Sequence, residues 1–171
     1  MLRTQLLVVG QIALVVVAIA WFLTGGHSLL PTSLPTADDT AARLGLAVGS
    51  LVLPALTLLI GIGTVAARRF FSADAIDGTR TPLSRSLEIN LRYNQNTVEQ
   101  LLLAAIAWGG LALALPHENL SLIPALAALF VLGRALFWIG YLIAPWVRAS
   151  GFGFSMYPSA CALAWLAVRA L

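Results

Sequence analysis

A chain of 171 residues that is 60% hydrophobic and 10% charged, with a mean hydropathy of +0.91, is too apolar to be a water-soluble domain. All ten basic residues are arginines, set against seven acids for a formal net charge of +3. They fall singly within apolar runs or at the ends of those runs, whereas a phosphate backbone is met by a basic face or stripe, so no nucleic-acid partner is expected.

A helix that crosses a bilayer needs about 20 mostly apolar residues, and five stretches qualify. The first is Leu6–Leu23. Arg3 precedes it and Ala18-Ile19-Ala20 resembles a signal-cleavage site, but we read it as a retained helix, followed by the turn-rich linker GGHSLLPTSLPTADDT; residues 1–40 thus form an N-terminal unit. Asp38, Asp39 and Thr40 suit the positive N-terminus of the second helix, Leu44–Ala67. Gly45 and Gly49 form a GxxxG pair there, a spacing that lets helices approach closely in lipid, and Pro54 follows in the same helix. After the polar 72–82 segment, Thr81-Pro82 reads as an N-cap followed by proline at the first helical position of the third helix, which must end at Leu115 because Pro116 comes next. The fourth stretch is Leu120–Ile143 and the fifth Phe152–Leu171, joined by a turn from Ala144 to Gly151. GFGF at 151–154 has no preceding strand and no following lysine, so it reads as part of that turn and not as a phosphate loop. Cys161 has no second cysteine to pair with and is expected as a small buried hydrophobe. His27 and His117 flank turns without a second ligand at helical spacing, so no metal is assigned. No internal repeat is found.

Arg3, Arg68, Arg69, Arg80, Arg85, Arg92 and Arg148 then fall on one side of the membrane, against Arg43 and Arg169 on the other. By the positive-inside rule the loop 68–92 and residues 144–150 of this multi-pass membrane protein are cytoplasmic, and the C-terminus lies opposite.

The third helix carries an unusual load. Counting back about 20 residues from Pro116 puts Asn96 and Glu99 within the apolar layer or at its edge. Arg85, Glu88, Arg92, Asn96 and Glu99 are spaced three or four apart and share one face. A charge at mid-bilayer costs about 2.5–3.5 kcal/mol on insertion scales, so that face must meet another helix or a wet cavity. In the fourth helix Arg134, Phe137 and Tyr141 share a face and offer partners. A Glu99–Arg134 ion pair is the simplest structural account, but it leaves Arg92, Arg148 and Arg69 without counter-charges at one depth, which predicts an anionic ligand.

These residues resemble a known family. In SLEINLRYNQNTVEQ, the positions Glu88, Arg92, Asn96 and Glu99 match the E-x-x-x-R-x-x-x-N-x-x-E pattern of the membrane-associated proteins of eicosanoid and glutathione metabolism, the MAPEG family. GRALFWIGYLIAPWVRASGFG at 133–153 and AARRF at 66–70 are similar to two further blocks of that family, in the same order. The likeness covers the chain from about residue 41 to its end, and it is nearest to the bacterial-type microsomal glutathione transferases. It implies a four-helix transmembrane bundle at 41–171, preceded here by one additional helix, assembled as a homotrimer with glutathione as co-substrate between subunits. It further implies that Arg92, Asn94, Asn96 and Glu99 contact glutathione, with Tyr141 reaching it from the neighbouring subunit, and that Arg148 stabilises the thiolate. Arg69, Glu88 and Arg134 would support the site, and the other substrate would be a lipophilic electrophile or lipid hydroperoxide drawn from the membrane. A non-catalytic lipid-binding scaffold is the alternative that the same resemblance allows. Phe137 stands where some transferases of the family carry tyrosine, which removes one hydroxyl contact.

Overall fold

A computed structural model describes residues 2–26, 34–71, 84–144 and 146–170, without the side chains of residues 2–4. His27, Arg80, Thr81, Pro82, Pro145 and the Arg3 side chain lie outside this description. Among the described residues the protein is five helices: α1 (Leu2–Thr24), α2 (Thr40–Phe70), α3 (Arg85–Ala114), α4 (Leu122–Ile143) and α5 (Ala149–Ala170). A single 3-10 turn, His117–Asn119, joins α3 to α4. All five helices are long and apolar enough to cross a membrane, and the chain is an integral multi-pass membrane protein.

Local chemistry explains the ends of these helices. Asp39 caps α2 by accepting from the Ala42 amide at 2.8 Å. The cap of α3 is Ser84, which accepts from Leu87 N at 3.4 Å, so the described helix begins later than the Thr81-Pro82 signal suggested. The loop expected over 68–92 is correspondingly shorter, because α2 runs through Phe70 and α3 is helical from Arg85. Pro116 lacks the amide that would extend α3, which closes at Leu115.

Lipid is as apolar as leucine, so such helices associate through close backbone approach and polar contacts. The glycines that achieve this are not the GxxxG pair: a Cβ on Gly45 or Gly49 would meet nothing within 4 Å. On Gly61 it would fall 2.1 Å from Asn94 Oδ1, fitting α2 against α3. On Gly151 it would fall 2.1 Å from Phe137 N, and on Gly140 2.9 Å from Arg148 N. Gly151 therefore belongs to the first turn of α5, and GFGF is helix where a turn was expected; its missing side chain is what brings α5 onto the α4 backbone. Cys161 is exposed and not buried, because in a membrane helix the lipid-facing and core-facing sides are both apolar in sequence.

The core has an apolar half around Trp108, Ile123 and Phe130, and a second cluster of Ile89, Tyr93, Phe137 and Tyr141 nearer the Arg148 end. The additional helix α1 packs on α5, with Val15 and Ile19 against Phe154, Tyr157 and Leu129. Gly153 makes room for this contact, since a Cβ there would lie 2.9 Å from Val15 Cγ1.

Candidate functional site

The Gly140 and Gly151 contacts fix where the polar residues meet. Where α4 turns into α5, Arg148 is carried back over the α4 aromatics, its Cζ 4.4 Å from the Tyr141 ring centroid and 5.9 Å from that of Phe137. Cations are attracted to ring faces at such distances. Among the described residues no hydrogen bond or ion pair holds the Arg148 guanidinium. From α3, Arg92 Nη1 donates to the Tyr141 hydroxyl at 3.4 Å, so the tyrosine touches both arginines within a single chain.

Arg134 is wholly buried at 0% exposure in the span of α4. The expected partner, Glu99, does not reach it. Arg134 Nη1 donates instead to Asn96 Oδ1 at 2.8 Å, and Nη2 to Ser155 Oγ at 2.6 Å. Its Cζ stands 4.7 Å from the Phe137 ring centroid and 5.7 Å from that of Phe130, and its Nε is buried with no partner. Asn96 lies three residues before Glu99, about 60° round the helix, and that rotation decides which of the two faces the core. Glu99 is exposed and accepts from Gln95 Nε2 at 2.9 Å.

Gln100 Nε2 also approaches Asn96 Oδ1, at 3.3 Å. With both neighbours donating to the carbonyl oxygen, the orientation of the Asn96 amide is settled, and what it has left to offer is its NH₂ group. Arg92, Asn96 and Arg148 line a cleft of about 480 Å³ whose remaining walls are mostly aliphatic and aromatic: Val8 and Ile12 from α1, then Phe137, Ala149 and Phe152, with Trp146 and Tyr157 adding an indole N–H and a hydroxyl. Its volume lies within the range typical of small-molecule sites. No carboxylate lines it among the described residues. Two guanidinium groups and an amide NH₂ at one cleft favour an anion.

Other predicted residues are placed elsewhere. Arg92 is not without a counter-charge, because its Nη2 lies 2.5 Å from Glu88 Oε1 in an ion pair exposed on both sides, which is worth little on such a surface. Asn94 packs toward Gly61 of α2, away from the cleft lining, with its Oδ1 buried and unpartnered. Arg69 is exposed at the end of α2 and does not line the cleft, while Arg68 donates to Ser86. The features that sequence reasoning missed are the α1 wall and Ser155. Helical spacing within α5 carried no hint of Ser155, and nothing in α1 marks Val8 and Ile12 as different from lipid-facing residues.

The opposite end of the bundle has a different arrangement. Arg43 Nε lies 2.6 Å from Asp38 Oδ1, and its Nη1 donates to the carbonyls of Ala112 at 3.0 Å and Leu115 at 2.7 Å. His117 Nδ1 is 3.1 Å from the same Asp38 oxygen. These contacts hold the linker before α2 against the α3–α4 connection. The hydrogen bond from Arg43, foremost, with His117 close by, keeps the Asp38 carboxyl below its ordinary value.

The family described as MAPEG family matches residues 46–171. This chain belongs to the MAPEG family. Transmembrane protein 79 of Mus musculus is 26% identical over 157 residues, covering 90% of this chain and 40% of that protein. Transmembrane protein 79 of Bos taurus is 24% identical over 163 residues, 95% of this chain and 41% of the other. The chain thus spans about two fifths of the length of these relatives. An alignment that covers 95% of the chain takes in most of α1, which the family match, starting at residue 46, does not. No solved structure matches.

Proposed function

We propose that this MAPEG protein is a membrane-embedded glutathione-dependent transferase or peroxidase of the microsomal glutathione transferase type, acting on lipophilic electrophiles or lipid hydroperoxides. The observation that carries this reading is the cleft lined by Arg148, whose guanidinium meets no acceptor among the described residues, by the Asn96 amide, and by Arg92, whose one carboxylate partner, Glu88, is exposed and outside the lining. Glutathione supplies two carboxylates for those donors and a thiol for the chemistry. A thiol of pKa about 8.5 is mostly protonated at neutral pH, and the fixed charge of Arg148 close to the sulfur favours the thiolate. Arg148 suits this role because it cannot itself give up its proton. In conjugation the sulfur forms a bond to the electrophilic carbon, and the leaving group departs with its electron pair. In peroxide reduction two thiols become one disulfide, while the hydroperoxide becomes an alcohol and water.

On this reading Glu99 meets the ammonium group of glutathione, yet it lies outside the cleft of a single chain, next to the exposed Val98 and Leu102. A carboxylate among lipid-facing residues is costly. Its position supports assembly as a homotrimer in which a neighbouring subunit covers this face of α3 and completes the site. In the proposed orientation the Arg148 end is cytoplasmic, as the arginine distribution suggests.

The test is turnover by the purified protein with glutathione and either an aryl halide or a lipid hydroperoxide. Activity that falls at least 100-fold in Arg148→Ala, on the scale of one lost electrostatic stabiliser, supports the proposal. Folded wild-type protein that turns over neither substrate overturns it and favours the non-catalytic lipid-binding scaffold, the second reading. That reading has support of its own in the apolar walls of the cleft.

A further inference from the structure

The cleft joins two parts of the chain with different histories of resemblance. Its donors come from α3 and the turn before α5, inside the family match, whereas Val8 and Ile12 come from α1, outside it. Helix α1 is not loosely appended. Val8, Ile12, Val15 and Ile19 recur at helical spacing on one face; Val15 is fully buried, and Gly153 of α5 is shaped to receive it. The rest of α1 presents large apolar side chains outward, Leu14 at 67% and Val17 at 69% exposure, as a helix bordered by lipid does. The cleft therefore combines donors from α3 and the turn before α5 with aliphatic side chains from a helix that is otherwise exposed to lipid.

We infer that α1 is the selectivity wall of this cleft, which takes an amphiphile: an anionic head held by Arg92, Asn96 and Arg148, and an apolar body lying against Val8 and Ile12. This rests on the reading of the cleft as the substrate site, and it names the class of the second substrate: an apolar, aliphatic group long enough to reach α1. Joined to glutathione through sulfur, such a group gives an anionic amphiphile of this class. Ile12 sets the depth available to the chain. Residues of α1 on the outward face, such as Leu14, play no part.

The test measures binding of S-methyl, S-butyl, S-hexyl and S-octyl glutathione to the full chain in one detergent, alongside octanoate and dodecanoate, so that partition into micelles is common to every variant. Each methylene buried against α1 should tighten binding about 4-fold in the wild type. In Ile12→Trp the gain with chain length should collapse while S-methyl glutathione binds as before. In Ile12→Ala, which removes bulk without overpacking, the preferred chain should lengthen, and Leu14→Trp should leave the series unchanged. If S-methyl glutathione binds but the chain-length gain is the same in both Ile12 variants, the wall is refuted and the glutathione site stands. If no glutathione derivative binds while the carboxylates show the Ile12-dependent gain, the wall stands and the glutathione reading fails. If no probe binds to folded protein, both are overturned.

Discussion

At the Asp38 end of the bundle, Arg43 donates to one carboxylate and two main-chain carbonyls, and those carbonyls are the ones left over where α3 ends. At the other end, Arg148 lies over the Tyr141 ring beside an open cleft and meets no acceptor among the described residues. The residue type is the same, and the apolar surroundings are similar. The difference teaches how to separate a structural arginine from a functional one: the first has its donors used up by the fold, and the second has them held in place but left available. Arg134 stands between the two cases. Its Nη atoms are satisfied by Asn96 and Ser155, its Nε is not, and its effect on the cleft is to fix which way Asn96 points.

Several substitutions would break or sharpen this contrast. The largest effect is expected from Gly151→Ala, because the new methyl would fall 2.1 Å from Phe137 N and backbone cannot move aside as a flexible side chain does. Overpacking that side chains can relax costs about 1–3 kcal/mol, and a clash with backbone that cannot relax exceeds it, so little folded protein should survive size-exclusion chromatography in detergent. Gly45→Ala, with open space around it, should elute as the wild type does. Arg134→Ala comes next. Removing a fully buried guanidinium leaves the Asn96 and Ser155 oxygens short of a donor and opens a void, a loss of about 2–4 kcal/mol readable as a lower thermal midpoint. Arg148→Ala should leave the thermal midpoint nearly unchanged in the absence of ligand, since only ring contacts are lost, and that separates it from Arg134→Ala.

The smallest effect belongs to the clamp at the other end. With the Asp38 carboxyl held below its ordinary value of 3.8, its contribution to stability is fully present above that value. It is lost as pH falls through the depressed one. Below pH 3.8 the wild type should therefore lose stability more steeply than Asp38→Asn, which lacks the contribution at every pH. Parallel pH profiles for the two proteins would contradict the clamp.

Much of this was legible from residues alone, for physical reasons. Hydrocarbon thickness imposes the five spans, and Asp39 and Pro116 mark boundaries through groups that the backbone must satisfy or lacks. Arg134, Phe137 and Tyr141 share a face because of their spacing, and all three are buried in the structure. The partner of Arg134 was not legible, since Asn96 and Glu99 differ by only about 60° of helix rotation and either fits a periodicity argument. Nor was the role of glycine. Gly45 and Gly49 carry the recognised pattern yet face open space, whereas Gly61, Gly140 and Gly151 have no pattern and make the contacts. The part played by α1 escaped for a similar reason: Val8 and Ile12 differ from their lipid-facing neighbours only by what lies across from them.

The central claim is that Arg148 holds an anion in this cleft, and thermal unfolding of wild type and Arg148→Ala over a glutathione titration tests it most directly. Ligand that binds only the folded state should stabilise the wild type by about 2.7 kcal/mol at 100 times its dissociation constant. In Arg148→Ala the midpoint should start at the wild-type value and scarcely move over the same concentrations. An equal rise in both proteins, or none in either, would contradict the account.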